Sequence, residues 1–180
     1  RPRQHRQRGQ DDPERDHVLT AMETHVDCRD VGEGMRGGYP MRAIHTKDFH
    51  FIRNFKPDRW PAGDPMGFEK EDAQPAGYEE LASKTRVAFA DVDASPTKAN
   101  MILHRDEPKV RPLFECAFGK RPARELFDLR SDPWQMHNVA EEEAYAEIAE
   151  QMENRLMAEL KATGDPRAVG HGEVFDVIEQ

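Results

Sequence analysis

Apolar side chains recur along the chain with two periods, and each period marks a different kind of element. Between residues 141 and 162, Tyr145, Ile148, Met152, Leu156 and Leu160 are spaced three, four, four and four apart. That spacing puts them on one stripe of a helix. Glu141, Glu142 and Glu143 would fall in its first turn, where acids favour the positive end of the helix dipole. Gly164, followed by Asp165-Pro166, is the expected stop. Across 39–55 the period drops to two. Tyr39, Met41, Ala43 and His45 share one face, Phe49 and Phe51 share a face on the return, and Thr46-Lys47-Asp48 is the polar turn of a hairpin. Pro40 cannot donate to a ladder, so it marks an edge strand or a strand start. Residues 17–24 alternate loosely and predict a short strand. Residues 125–129 predict another, with Leu126 and Asp128 opposite Phe127.

The punctuation between these patterns is equally informative. Gly32, Gly34, Gly37 and Gly38 predict a loop over 25–38. Four prolines and three glycines predict a long irregular segment over 56–77. Loops longer than about 12–15 residues inside a compact domain are functional or disordered as a rule. Trp60 argues for order there, because an indole seeks a packed surface. Ser95-Pro96 reads as N-cap and first position of a helix running to about Arg105. A second short helix, about 108–118, is expected to close on a left-handed Gly119. Ser131-Asp132-Pro133-Trp134 reads as a turn. Residues 165–180 read as a tail in which Val174, Phe175, Val177 and Ile178 offer one more docking segment. These elements together predict an α+β fold: a small antiparallel β-sheet with a long C-terminal helix.

Composition adds a constraint. Of 180 residues, 37% are hydrophobic and 34% charged, so the expected core is thin. The net charge of −9 makes the chain as a whole a poor nucleic-acid binder. No apolar run approaches the roughly 18–20 residues of a membrane span. The first ten residues depart from the acidic balance, with four arginines and no acid. They are either a basic arm able to touch phosphates through charge or a solvated linker. The helix at 141–160 carries seven acids and one base, which is a solvated face or a partner-binding one.

Few residues declare a reaction. Cys28 and Cys116 stand far apart and form no Cys-x-x-Cys pair, so one bridge and two free thiols both remain open. Cys116 lies in an apolar stretch and is expected to be a small buried hydrophobe. Asp91-Val92-Asp93 and Asp11-Asp12 are carboxylate pairs, suited to a hard cation or to turn and cap chemistry. The eight histidines form no metal-spaced cluster.

The segment ELFDLRSDPWQMHNVA (125–140), the long helix after it and TGDPR (163–167) resemble the C-terminal region of type I sulfatases. GYPMRAIHTKDFHFIRNFKPDRWPAGDP (38–65), ASPTKANMILHRDEP and RPLFECAFGKRPARELFDL are similar to the branch that includes heparan N-sulfatase (sulfamidase). The resemblance spans about residues 14–167, leaving 1–13 as a basic linker or truncated end and 168–180 as a C-terminal tail. It implies the C-terminal subdomain of an alkaline-phosphatase-like parent. That parent would be a calcium- and formylglycine-dependent enzyme, periplasmic or secreted, hydrolysing sulfate esters or N-sulfates of sulfated sugars.

Within that resemblance this chain carries no catalytic residue and no metal ligand of its own. Cys28 is followed by Arg-Asp-Val-Gly and Cys116 by Ala-Phe-Gly-Lys, whereas the formylglycine motif is Cys/Ser-x-Pro-x-Arg. The chain is therefore expected to be inactive alone and to need a missing N-terminal catalytic domain as its partner. Segment 23–36 occupies the place of a Glu-Arg-His in relatives, so His25 and Arg29 are the candidate substrate-binding residues. Thr24 replaces the Arg of that pattern, and the glycine-rich stretch 32–38 departs from it. The alternatives are a stand-alone non-catalytic relic, a sulfated-glycan-binding module and, through residues 1–10, a nucleic-acid contact.

Overall fold

The structure, a computed structural model, describes residues 15–68 and 76–178. The basic arm, Asp11-Asp12 and part of the 56–77 segment lie outside those residues. The hairpin forms where the period of two places it. Strand β1 (His17–Met22) is followed by a small hairpin, β2 (Arg29–Asp30) and β3 (Met35–Gly37). Then come β4 (Met41–Thr46) and β5 (Phe49–Asn54), and later β6 (Arg124–Asp128). They build an antiparallel sheet in the order β1-β4-β5-β6. In its register Ile44 faces Phe51 and Phe51 faces Leu126, while Met41 faces Asn54 and Ala43 faces Ile52. Pro40 precedes a strand paired on both sides, so it starts β4 rather than marking an edge.

The helices are α1 (Tyr78–Ser83), α2 (Pro96–Leu103), α3 (Arg111–Phe118), α4 (Ala146–Ala162) and α5 (Pro166–Val169). Ser95 caps α2 as the sequence predicts, its hydroxyl accepting from the Lys98 amide at 3.1 Å. The described residues are thus a mixed α+β unit with a small antiparallel sheet and a C-terminal helix.

Two cores result. Ala149, Met152, Leu156 and Leu160 of α4 lie against Ile44, Phe51 and Leu126, on one face of the sheet. The second core joins the 60–68 loop to α1, α2 and α3 around Phe89, Phe114 and Phe118. Among these rings, centroid separations run from 4.8 to 5.9 Å.

Several sequence expectations are corrected. The glycine-rich stretch 25–38 holds β2 and β3, turning through Gly32, Glu33 and Gly34, all at positive φ. Helix α4 starts at Ala146, after a 3-10 turn at Glu143–Tyr145, so Glu141 to Glu143 precede its first turn. Gly119 has φ −59°, not a left-handed value. A glycine is needed there for closeness instead, since a Cβ would stand 2.6 Å from the Glu115 carbonyl oxygen. Cys116 is exposed rather than buried, and both cysteines are free thiols.

Asp165-Pro166 ends one helix and begins the next, with the Asp165 carboxylate accepting from the amides of Arg167 and Ala168. The segment read as a tail forms β7 (Val177–Ile178), which pairs with β3. An alternating row of charges fixes it. Arg59 holds Asp176 through two bonds of 2.8 and 2.9 Å, Arg167 holds Glu23 at 2.6 Å, and Arg42 bridges Glu23 (3.0 Å) to Asp165 (2.8 Å).

Candidate functional site

The 55–68 loop is irregular, so its carbonyls find no ladder and must be satisfied from elsewhere. Arg29, on β2, does this. Its side chain is 1% exposed. Nε donates to the Trp60 carbonyl and Nη2 to the Pro61 carbonyl, both at 2.6 Å, while Nη1 donates to the Val26 carbonyl at 3.3 Å. Nη2 also pairs with Asp91 Oδ2. The forked guanidinium suits this geometry, because it meets several acceptors in one plane. Arg29 therefore touches protein oxygens on every side and positions the Trp60-Pro61 segment.

His25, the other candidate, is 68% exposed, with Nδ1 3.4 Å from Asp91 Oδ1. Asp91 joins the two. One of its oxygens is taken by Arg29, and the other is buried without a hydrogen-bond partner. His25, Asp91 and Arg121 line one hollow of about 250 Å³. Desolvation pushes the thiol of nearby Cys28 above its ordinary range, so Cys28 is poorly suited to act as a thiolate nucleophile.

Two further hollows flank this centre. One, about 430 Å³, lies over the sheet face that α4 leaves open, with Met41, Ile52, Phe127, Cys116 and Met136 in its lining. The buried Tyr39 hydroxyl borders it without a hydrogen-bond partner, and burial pushes its pKa up to about 12. The other, about 360 Å³, is polar. Trp60, Lys56, Lys120, Asp58 and Asp64 line it, and Arg29 forms part of its wall. The Trp60 ring packs edge-on to Phe89 at 5.9 Å, and the Lys120 ammonium sits 5.2 Å from its centroid.

The sequence reading found His25 and Arg29 but not Lys56, Lys120 or Tyr39. Lys56-x-x-x-Trp60 was the available signal, a base and an indole in one proline-rich loop. Lys120 arrives from the end of α3, some 60 positions away, and nothing local announces it. Among the described residues no three His, Cys, Asp or Glu side chains come together as a metal site. No helix among the described residues is long and apolar enough to cross a membrane. No family model and no curated protein matches the chain.

Proposed function

We propose that this chain is the C-terminal subdomain of a formylglycine-dependent sulfatase, acting on sulfate esters or N-sulfates of sulfated sugars. It would supply scaffold and one rim of the substrate cleft, while the N-terminal domain would supply the nucleophile and calcium. The observation that carries this reading is the uneven cover of the four-stranded sheet. One face is sealed by α4, where Ile44, Phe51 and Leu126 are fully buried. The other face carries Val18, 52% exposed, and half-buried Met41 and Ile52. Beside it Trp134 and Met136 stand 83% and 62% exposed. Met41, Ile52 and Met136 meet at one hollow there, and exposed apolar surface of this kind marks an interface. The catalytic domain is the occupant the resemblance supplies. On this reading His25, backed by the half-satisfied Asp91, faces the anionic sugar, and Arg29 holds the wall behind it.

The test is reconstitution with the catalytic domain encoded in the full-length reading frame. The pair is expected to co-purify and turn over a sulfated sugar, and Ile52→Glu is expected to abolish both. A reading frame without a Cys/Ser-x-Pro-x-Arg sequence upstream overturns the proposal. So does turnover of a chromogenic aryl sulfate by this chain alone.

A further inference from the structure

The open face of the sheet carries two histidines side by side. His45 on β4 and His50 on β5 are directly opposed in the register. Their rings stack with 4.9 Å between centroids, 28° from parallel. Ile44, Phe51 and Leu126 turn toward α4, so side chains alternate and the histidines fall on the face that α4 leaves open. Val18 of β1 lies opposite His45, and Phe127 of β6 lies opposite His50 with 6.3 Å between their rings. Ile52 and Phe127, their neighbours on this face, line the 430 Å³ hollow.

His17, His25, His104 and His171 each have a carboxylate oxygen at 2.7 to 3.8 Å. Among the described residues, neither His45 nor His50 has one. The surrounding elements offer little to offset a charge. From β1 come Val18 and Thr20, while His17 turns to Glu159 of α4. From β6 comes Glu125, opposite Ile52, whose carboxylate accepts from Asn54 Nδ2 at 2.7 Å. The hairpin turn holds Lys47 and Asp48, the latter acting on Arg130. The 134–138 segment brings His137 and Gln135, whose Oε1 meets His50 Nδ1. A second proton on the stacked pair therefore meets a like charge with no anion beside it. Burial and the neighbouring His50 push His45 below the ordinary 6.5.

We infer that the stacked His45–His50 pair is an acid-sensitive gate on the open face: neutral, it belongs to the surface that receives the catalytic domain, and protonated, it opposes that docking. This names the regulation of the interface proposed above and rests on that reading. The sign follows from desolvation. Docking takes both imidazoles out of water, which disfavours their charged forms. Association is therefore full above the ordinary histidine range and is lost as pH falls through it. Because the two rings titrate as a coupled pair, the loss is steeper than for one histidine.

The experiment titrates the catalytic domain from the full-length reading frame onto the 180-residue chain by calorimetry, at about pH 7.5 and about pH 5. Affinity is expected to fall by at least roughly tenfold at the lower pH. His45→Phe with His50→Phe keeps two stacked rings but no titrating nitrogen, and is expected to reduce that fall to under about threefold. His104→Phe, at a histidine paired to Glu107 away from this face, is expected to retain the full dependence. In parallel, NMR follows the imidazole signals of the chain alone. His45 is expected to titrate below 6.5 and to move upward in His50→Phe.

The same pH dependence in the wild-type chain and the double variant overturns the gate and leaves docking standing. So does independent titration of the two imidazoles at the ordinary value. Loss of the wild-type circular dichroism at about pH 5 also overturns it, since the gate acts on a folded face. Absence of association at either pH, by the wild-type chain and the double variant alike, overturns the docking reading and the gate with it.

Discussion

The two cores solve the same problem by different means. Around α4 the backbone is regular, so helix and strands satisfy their own amides and carbonyls. Apolar stripes on both sides then suffice: Leu156, Ile44 and Phe51 share one buried apolar cluster. Around Phe89 the backbone is irregular, and Phe89 itself has φ 47°. Buried carbonyls there need donors from side chains. Lys98, 2% exposed, supplies them, its ammonium donating to the carbonyls of Thr85, Phe89 and Val92 at 3.0, 3.1 and 2.7 Å. Arg29 does the same for Trp60 and Pro61. The lesson is that a buried cation stands in for missing secondary structure, because each unpaired buried carbonyl costs about 1–3 kcal/mol.

The largest expected effect tests the regular core. Leu156→Ala empties a fully buried site and should destabilise the chain by about 3–4 kcal/mol in urea unfolding. Lys98→Met should cost about 3 kcal/mol although its volume and apolar contacts are kept, since three carbonyls lose their donor. A cost under about 1 kcal/mol would show that these carbonyls do not need the cation. Desolvation by burial lowers the Lys98 pKa, so the unfolded chain holds this proton more tightly. Its contribution to stability should therefore rise with pH as the folded-state group deprotonates below 10.5, a slope that Lys98→Met removes.

Gly63→Ala is a smaller break at the seam between Arg29 and the aromatic core. Gly63 has φ +95°, and a Cβ would stand 2.7 Å from both the Ala90 amide and Cys28 Sγ. A cost of about 2 kcal/mol is expected by thermal unfolding. The smallest effect is electrostatic and sits on the sheet. The Arg130 guanidinium, bonded through Nε and Nη2 at 2.8 and 2.6 Å, holds Asp128 down at about 2. The group is depressed, so its stabilisation is present above the ordinary 3.8 and is lost as pH falls through about 2. Asp128→Asn should lower stability modestly at neutral pH and flatten acid unfolding in that window.

The regular core was legible in the sequence. The stripe from Tyr145 to Leu160 and the alternation in 39–55 are local patterns, and both formed. The Leu126 and Phe127 alternation also held, one side chain toward α4 and the other toward the open face. The aromatic core was not legible. Phe89, Phe114 and Phe118 come from a loop and one helix face, and a cation at Lys98 gives no sign in one dimension that it is buried. The site divides the same way. His25 and Arg29 lie four residues apart, and the resemblance of segment 23–36 singled them out. Asp91, Trp60 and Lys120 join them only through contacts spanning about 30 to 90 positions, a range at which spacing rules say nothing.

The pairing of Met35 with Ile178 has a consequence for how the molecule comes into being. The β2-β3 hairpin acquires its third strand only after nearly every other described residue has been translated. Closing so long a loop adds little entropic cost beyond that of a loop half its length, about 0.6 kcal/mol, yet it delays completion until residue 178 has emerged. Until then the Arg59 guanidinium, which lines the hollow beside Trp60, waits without Asp176. The hollow therefore matures last, and a nascent chain stalled before residue 176 would carry the sheet and α4 but not the finished site.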